Sequence, residues 1–119
     1  MSYPYNAGGL EMRHFTVIKW KKANGETKKF RLKSQIFHKW EEIGNLLAIP
    51  STQLKRWSKD KNPRECCDAV LQYWLDNPPD DYPFTWEGLY ELLDDCELDT
   101  NIIEELKDAV EKSYNVDKD

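Results

Sequence analysis

The chain has two histidines, five glycines and no run of about eighteen apolar residues, and each shortage removes a class of function. Without a long apolar run, and with a start (Met1-Ser2-Tyr3-Pro4-Tyr5) that lacks the charged-then-apolar pattern of a signal peptide, neither secretion nor membrane insertion is expected. His14 and His38 sit outside any signature that would activate a Ser or Cys nucleophile, so an enzyme is not expected. No glycine-rich loop is present to cradle phosphate. Three cysteines are an odd number, and Cys66 and Cys67 are adjacent on a predicted helix where their side chains diverge, so a disulfide framework is not expected and a reducing cytoplasm fits. A zinc site wants two or more residues between paired cysteines, and Cys96 with His38 would complete a set only by coincidence. No metal or cofactor is expected, and Cys67 and Cys96 read as small buried hydrophobes.

What the chain does have is aromatic mass. Five Trp, six Tyr and four Phe can bury large areas although 33% of residues are charged and the mean hydropathy is −0.82. At 119 residues there is room for one core and one domain. Residues 1–10 are expected to be a flexible start, 11–114 the single helical domain and 115–119 a flexible tail. The net charge of −5 conceals a segregation: residues 1–40 hold nine Lys or Arg against two acidic residues (+7), and residues 41–119 hold eight against twenty (−12). A molecule so polarised can attract a complementary partner or another copy of itself.

Apolar residues recur at offsets of three and four in three stretches that each carry a tryptophan: Trp40 to Pro50, Cys66 to Leu75 and Thr85 to Leu93. A helix is predicted over about Gln35 to Leu47, with Ser34 as its cap, Ile36, Trp40, Ile43 and Leu47 inward, and Pro50 as its stop. A short helix capped by Ser51 or Thr52 carries Leu54 and Trp57. Pro63 opens the next, to about Asp76, burying Cys67, Val70, Leu71, Trp74 and Leu75. Three prolines between Asn77 and Pro83 break the chain, and Thr85 then caps a helix with Trp86, Leu89, Leu92 or Leu93 and Cys96 inward. Asp99 or Thr100 starts the last helix, with Ile103, Leu106, Val110 and Tyr114 inward. The expected structural core comprises Trp40, Ile43, Leu47, Leu54, Val70, Leu71, Trp74, Trp86, Leu89, Leu93, Leu106 and Val110.

Before residue 34 two readings compete. A helix from Glu11 to Ala23, closed by Gly25, would put Met12, Phe15 and Ile18 or Lys19 on one side; it is preferred because the rest is helical and an isolated hairpin is marginal. The rival, over residues 15–33, is a β-hairpin turning at Asn24-Gly25, with Val17 opposite Leu32 and Lys19 opposite Phe30. The fold expected is therefore all-α, a six-helix antiparallel bundle whose first helix is uncertain.

Taken in order, Trp40, Ile43-Gly44 and Leu47, then Leu54, then Trp74-Leu75, then Thr85-Trp86 with Leu89 and Leu92-Leu93, resemble the death-domain branch of the death-fold superfamily over about residues 34–112. Ala48 departs from the glycine common there, and the family's first helix is not evident at its usual distance before Trp40. The resemblance implies a non-catalytic, cytoplasmic adaptor or receptor-tail module. Its partner would be another death-fold domain or itself, as a homo- or hetero-oligomer, in apoptotic or innate-immune signalling.

Charge is compatible with that. Lys55, Arg56, Lys59, Lys61 and Arg64 form a basic cluster about the third helix, and Glu91, Asp94, Asp95, Glu97 and Asp99 an acidic one, with Glu87, Glu104 and Glu105 nearby. Opposite patches on one body permit head-to-tail contacts. Simple solvation of both clusters is the plainer alternative. A different class, a small helical nucleic-acid-binding domain, would use the basic segment 19–33 (Lys19, Lys21, Lys22, Lys28, Lys29, Arg31, Lys33), but a pI near 5.1 disfavours it.

Overall fold

The computed structural model describes residues 15–118, with side chains described to residue 113. The preferred helix over 11–23 is replaced, within the described part, by an antiparallel hairpin of β1 (Val17–Lys21) and β2 (Thr27–Arg31). Residues 11–14 of that expected helix, and residues 1–10, expected to be a flexible start, lie outside the described residues. The fold is thus a mixed one, a two-stranded sheet joined to a helical body, and not an all-α six-helix bundle.

The strand reading prevails because it buries Phe30 (8% exposed) together with Ile18 (5%), which a helix ending before Gly25 leaves behind. The hairpin is not isolated either, since the C-terminal helix packs across both strands. Its register differs by one residue from the two-residue turn expected at Asn24-Gly25. Ile18 faces Phe30 and Val17 faces Arg31, because the loop has three residues, Ala23 to Gly25. Lys22 N donates to Glu26 O at 2.8 Å, and Gly25 N to Lys22 O at 2.9 Å. Asn24 Oδ1 accepts from Glu26 N at 2.9 Å, and Gly25 takes φ +90°, the glycine position of a three-residue hairpin loop. A shift of one residue exchanges the faces of a strand. Ile18, Trp20 and Phe30 turn inward, and Val17, Lys19, Lys21, Thr27, Lys29 and Arg31 turn outward.

Beyond the hairpin come α1 (Leu32–Ile36), a 3-10 turn (Phe37–Lys39), α2 (Trp40–Leu46), α3 (Ser51–Asp60), α4 (Pro63–Asp76), α5 (Trp86–Asp95) and α6 (Thr100–Lys118). The one helix expected over 35–47 is broken by the 3-10 turn, but Ile36, Trp40, Ile43 and Leu47 are all buried. Ser34 is not a cap, because α1 starts directly after β2 with Leu32 buried. Neither Ser51 nor Thr52 is a cap; Pro50 precedes α3. Asn62 caps α4 through a reciprocal box with Glu65 (2.9 and 3.0 Å), Pro63 following it at the first helical position. Thr85 Oγ1 accepts from Gly88 N at 2.9 Å at the start of α5.

All twelve expected core residues are buried, with Trp74, Leu89, Leu93 and Leu106 fully inaccessible. Leu75, expected inside, is 40% exposed. The side chain of Tyr114 lies outside the described residues, and α6 continues through the expected tail to Lys118.

Helices α2 and α5 end alike. Ile49 N bonds to Gly44 O and Ala48 N to Asn45 O; Leu98 N bonds to Leu93 O and Glu97 N to Asp94 O, all at 3.0 or 3.1 Å. Ala48 (φ 64°) and Glu97 (φ 62°) occupy the left-handed position of these Schellman-type ends, and Ile49 and Leu98 are buried just after them. Because Ala48 is exposed and its Cβ is disfavoured there, Ala48→Gly is expected to stabilise the protein by about 0.5–1 kcal/mol, read as a higher urea midpoint. A lower midpoint would contradict it.

Candidate functional site

Three charged surfaces are built on this frame. Lys55, Arg56 and Lys59 project from α3, which packs against α2 and α4; Lys61 follows in the loop and Arg64 lies in the first turn of α4. All five are exposed, and none pairs with a carboxylate among the described residues. Arg64 differs from the others in lying over the Phe37 ring, 4.3 Å from its centroid.

The acidic surface gathers at the α5–α6 junction. Glu91, Asp94, Asp95, Glu97 and Asp99 are exposed, again without ion pairs among the described residues. Asp99 Oδ1 accepts from Asn101 N at 2.9 Å, where the positive end of α6 favours it. Asp94 and Asp95 are placed less favourably, in a last turn of α5 that has no basic residue, where the helix dipole disfavours anions. Glu97 holds a left-handed backbone beside them. Two carboxylates, Asp94 and Asp95, thus stand against the helix dipole at one spot, Asp95 with the Tyr82 hydroxyl as a partner. Between α5 and α6 an open groove of about 460 Å³ is lined by Glu87, Tyr90, Glu91, Asp94, Glu104 and Lys107, among others. Lys107 Nζ lies 5.4 Å from the Tyr90 ring centroid and 4.0 Å from Glu104. Lys107 is thus a cation of the groove's own wall and offsets part of its acidic charge.

Tyr82 supports this junction from the proline-rich loop, a segment with no helical period to mark it as buried. Its hydroxyl donates to Asp95 Oδ2 and its ring is only 8% exposed. That hydrogen bond to the carboxylate, with burial second, pushes the phenol up to about 12. Burial, and then the charge of Asp68, pushes the Cys67 thiol to about 12 as well. Both groups release protons in the unfolded chain before they do so in the folded one, so ν_U is below ν_N and stability falls as pH rises. The loss begins near pH 9 for Cys67 and near pH 10 for Tyr82, and runs to about 12. Urea midpoints are expected to drop between pH 8 and pH 11, and the part of the drop above pH 10 should shrink in Tyr82→Phe. Flat midpoints over that range would contradict the assignment.

The third surface is the outward face of the hairpin, where Lys19, Lys21, Lys29 and Arg31 are exposed. Lys33 is not part of it, being paired with Asp68, and Lys22 pairs with Glu26 across the mouth of the loop. Phe30 is buried and Trp20 half-buried on the inner face, so the outward face offers no ring on which bases could stack.

Cys66, Cys67 and Cys96 are free buried thiols, and burial raises the pKa of each, the opposite of what a reactive cysteine needs. Among the described residues, no group of three or more His, Cys, Asp or Glu side chains could hold a metal ion, and no helix is long and apolar enough to cross a membrane. No family model, curated protein or solved structure matches the chain.

Proposed function

We propose that the chain is a non-catalytic interaction module that assembles with a death-fold domain, or with itself, through the basic surface of α3 and the acidic surface at the α5–α6 junction. The observation that carries this reading is the acidic junction: Asp94 and Asp95 oppose the dipole of α5, Glu97 sits in a left-handed backbone, and no described cation pairs with them. Such local disadvantages are expected where a surface serves a partner instead of stability. The facing requirement is met by Lys55, Arg56, Lys59 and Lys61, four exposed cations without a described counter-ion. Further support is the ordered set of residues over 34–112 that resembles the death-domain branch; the hairpin precedes it, so the resemblance extends no further toward the N-terminus. On that resemblance the setting is cytoplasmic, in apoptotic or innate-immune signalling.

The test is retention of purified death-fold domains, and of the chain itself, on the immobilised protein. Single exposed pairs contribute about 0–1 kcal/mol, so Arg56→Glu with Lys59→Glu should weaken retention about tenfold, increasingly so as salt is lowered, with an unchanged far-UV circular dichroism spectrum. Unchanged retention in that double variant would exclude the α3 face. If neither a death-fold domain nor the chain itself is retained, the reading fails.

A further inference from the structure

The outward hairpin face sets like charges directly against each other, Lys19 opposite Lys29, with Lys21 (opposite Thr27) one rung toward the loop and Arg31 (opposite Val17) one rung the other way on the same face. Like charges in direct cross-strand opposition destabilise a sheet, and this hairpin has only two strands. No described carboxylate relieves them, since the hairpin's ion pairs involve Lys22 at the mouth of the loop and, beyond β2, Lys33. A counter-charge from outside the chain would.

The chain itself carries the complement. Glu87, Glu91 and Asp94 follow one another at offsets of four and three, so they form one stripe along α5, and Glu104 stands on α6 across the groove. Residues four apart on a helix are about 6 Å apart along its axis. Residues two apart on a strand are separated by about 6.6 Å. The pairs Lys19/Lys21 and Lys29/Arg31 are thus commensurate with Glu87/Glu91. Two strands lie about 4.8 Å apart and two packed helices about 8–10 Å, so the cation face is narrow enough to lie between the Glu87, Glu91 and Asp94 stripe of α5 and Glu104 of α6, which Lys107 approaches to 4.0 Å. The two surfaces do not meet within one chain, as no hydrogen bond or ion pair joins them among the described residues.

We infer that the cationic face of the hairpin (Lys19, Lys21, Lys29, Arg31) docks into the α5–α6 groove (Glu87, Glu91, Asp94, Glu104) of a second copy of this chain, head to tail. It rests on the reading of the protein as an assembling module, but uses a basic surface separate from α3. A face that binds a different face leaves both ends of every pair free, so the contact propagates into rings or open filaments. It also gives the hairpin a role beyond closing the core.

Two double variants test this, one with Lys19→Glu and Lys29→Glu, the other with Glu91→Lys and Glu104→Lys. Each is measured by light scattering over a concentration series at low and high salt, after its circular dichroism has been matched to the parent. The parent is expected to gain mass with concentration and lose it with salt, and each variant alone to need about tenfold more protein, or more, to associate. In an equimolar mixture every hairpin again faces an opposite charge, so association should return. Should either charge reversal disturb the fold, Lys19→Gln with Lys29→Gln should show the same direction of loss. The inference is overturned if the hairpin variant associates like the parent, or if the mixture fails to recover. Loss of association only in Arg56→Glu with Lys59→Glu would overturn it while leaving the α3 surface standing. A parent that stays monomeric up to millimolar concentration overturns it too, as does a monomeric parent whose retention on duplex DNA depends on Lys19 and Lys29.

Discussion

Replacing Gly88 by alanine is expected to unfold the protein at temperatures where the parent is native. An alanine Cβ at this position would lie 1.9 Å from the carbonyl oxygen of Pro83, with Pro83 C and N at 3.0 and 3.2 Å. Those atoms belong to the backbone and cannot rotate away. The Pro83 carbonyl is held by a bond from Thr85 N at 2.8 Å, and Thr85 in turn caps α5 by accepting from Gly88 N. Relief of the clash therefore has to lift the loop from the helix, breaking the cap and disturbing Tyr82 and Trp86, which are buried on either side of Pro83. The expected loss is about 3–5 kcal/mol, at the upper end of overpacking effects and comparable with the whole stability of many small domains. Gly44 provides the contrast. There an added Cβ would meet Leu54 Cδ2 at 2.7 Å, the far end of a side chain that can turn, so Gly44→Ala should lose about 1–2 kcal/mol. Thermal melts of the two variants should fall in that order, by about 4–8 °C for each kcal/mol. A Gly88→Ala protein melting with the parent would show that the loop does not sit over α5 as described.

The same region shows what could and could not be read from the chain beforehand. Thr85 announces itself as a cap because a threonine stands directly before an apolar stripe, and Trp40, Ile43, Leu47, Trp74 and Leu106 announce themselves by spacing. Periodicity reports which residues share a face and says nothing of what covers it. Tyr82 is the clearest case, since its partner Asp95 is thirteen residues away and only the folding back of the loop brings them together. The hairpin register turned on one loop residue: a two-residue turn at Asn24-Gly25 would have exposed Ile18, whereas the Asn24 side-chain bond and the positive φ of Gly25 close a three-residue loop and bury it. That the N-terminal segment is strand and not helix depended on α6, which supplies the packing an isolated hairpin lacks. The charged clusters were legible residue by residue. The groove between α5 and α6, which sets Glu104 against Glu87 and Glu91 and places Lys107 over Tyr90, exists only once those two helices pair.

Trp74→Ala should be at least as damaging as the change at Gly88, and its companion Trp74→Phe separates the reasons. Trp74 is fully buried, with Phe84 at 4.7 Å and Phe15 at 5.8 Å between ring centroids, both edge to face. Phe15 and Phe84 also meet each other at 5.4 Å, so three rings tie the start of the hairpin to α4 and to the loop before α5. Removing the middle one leaves a cavity that those separate elements would have to collapse into together, and Trp→Ala changes of this kind lose about 3–5 kcal/mol. The indole Nε1–H further donates to Tyr82 O at 2.8 Å in a buried position, and losing that donor leaves the carbonyl unsatisfied for about 1–3 kcal/mol more. Trp74→Phe keeps most of the ring contacts but not the donor, so its loss should be about 1–3 kcal/mol, and its effect should centre on the loop that carries Tyr82. Urea titration of both variants gives the two free energies, and amide exchange at Tyr82 to Thr85 locates the second. A phenylalanine variant as damaged as the alanine one would mean that the hydrogen bond outweighs the ring packing. A phenylalanine variant indistinguishable from the parent would mean that the bond to Tyr82 contributes nothing and that the ring cluster alone anchors the loop.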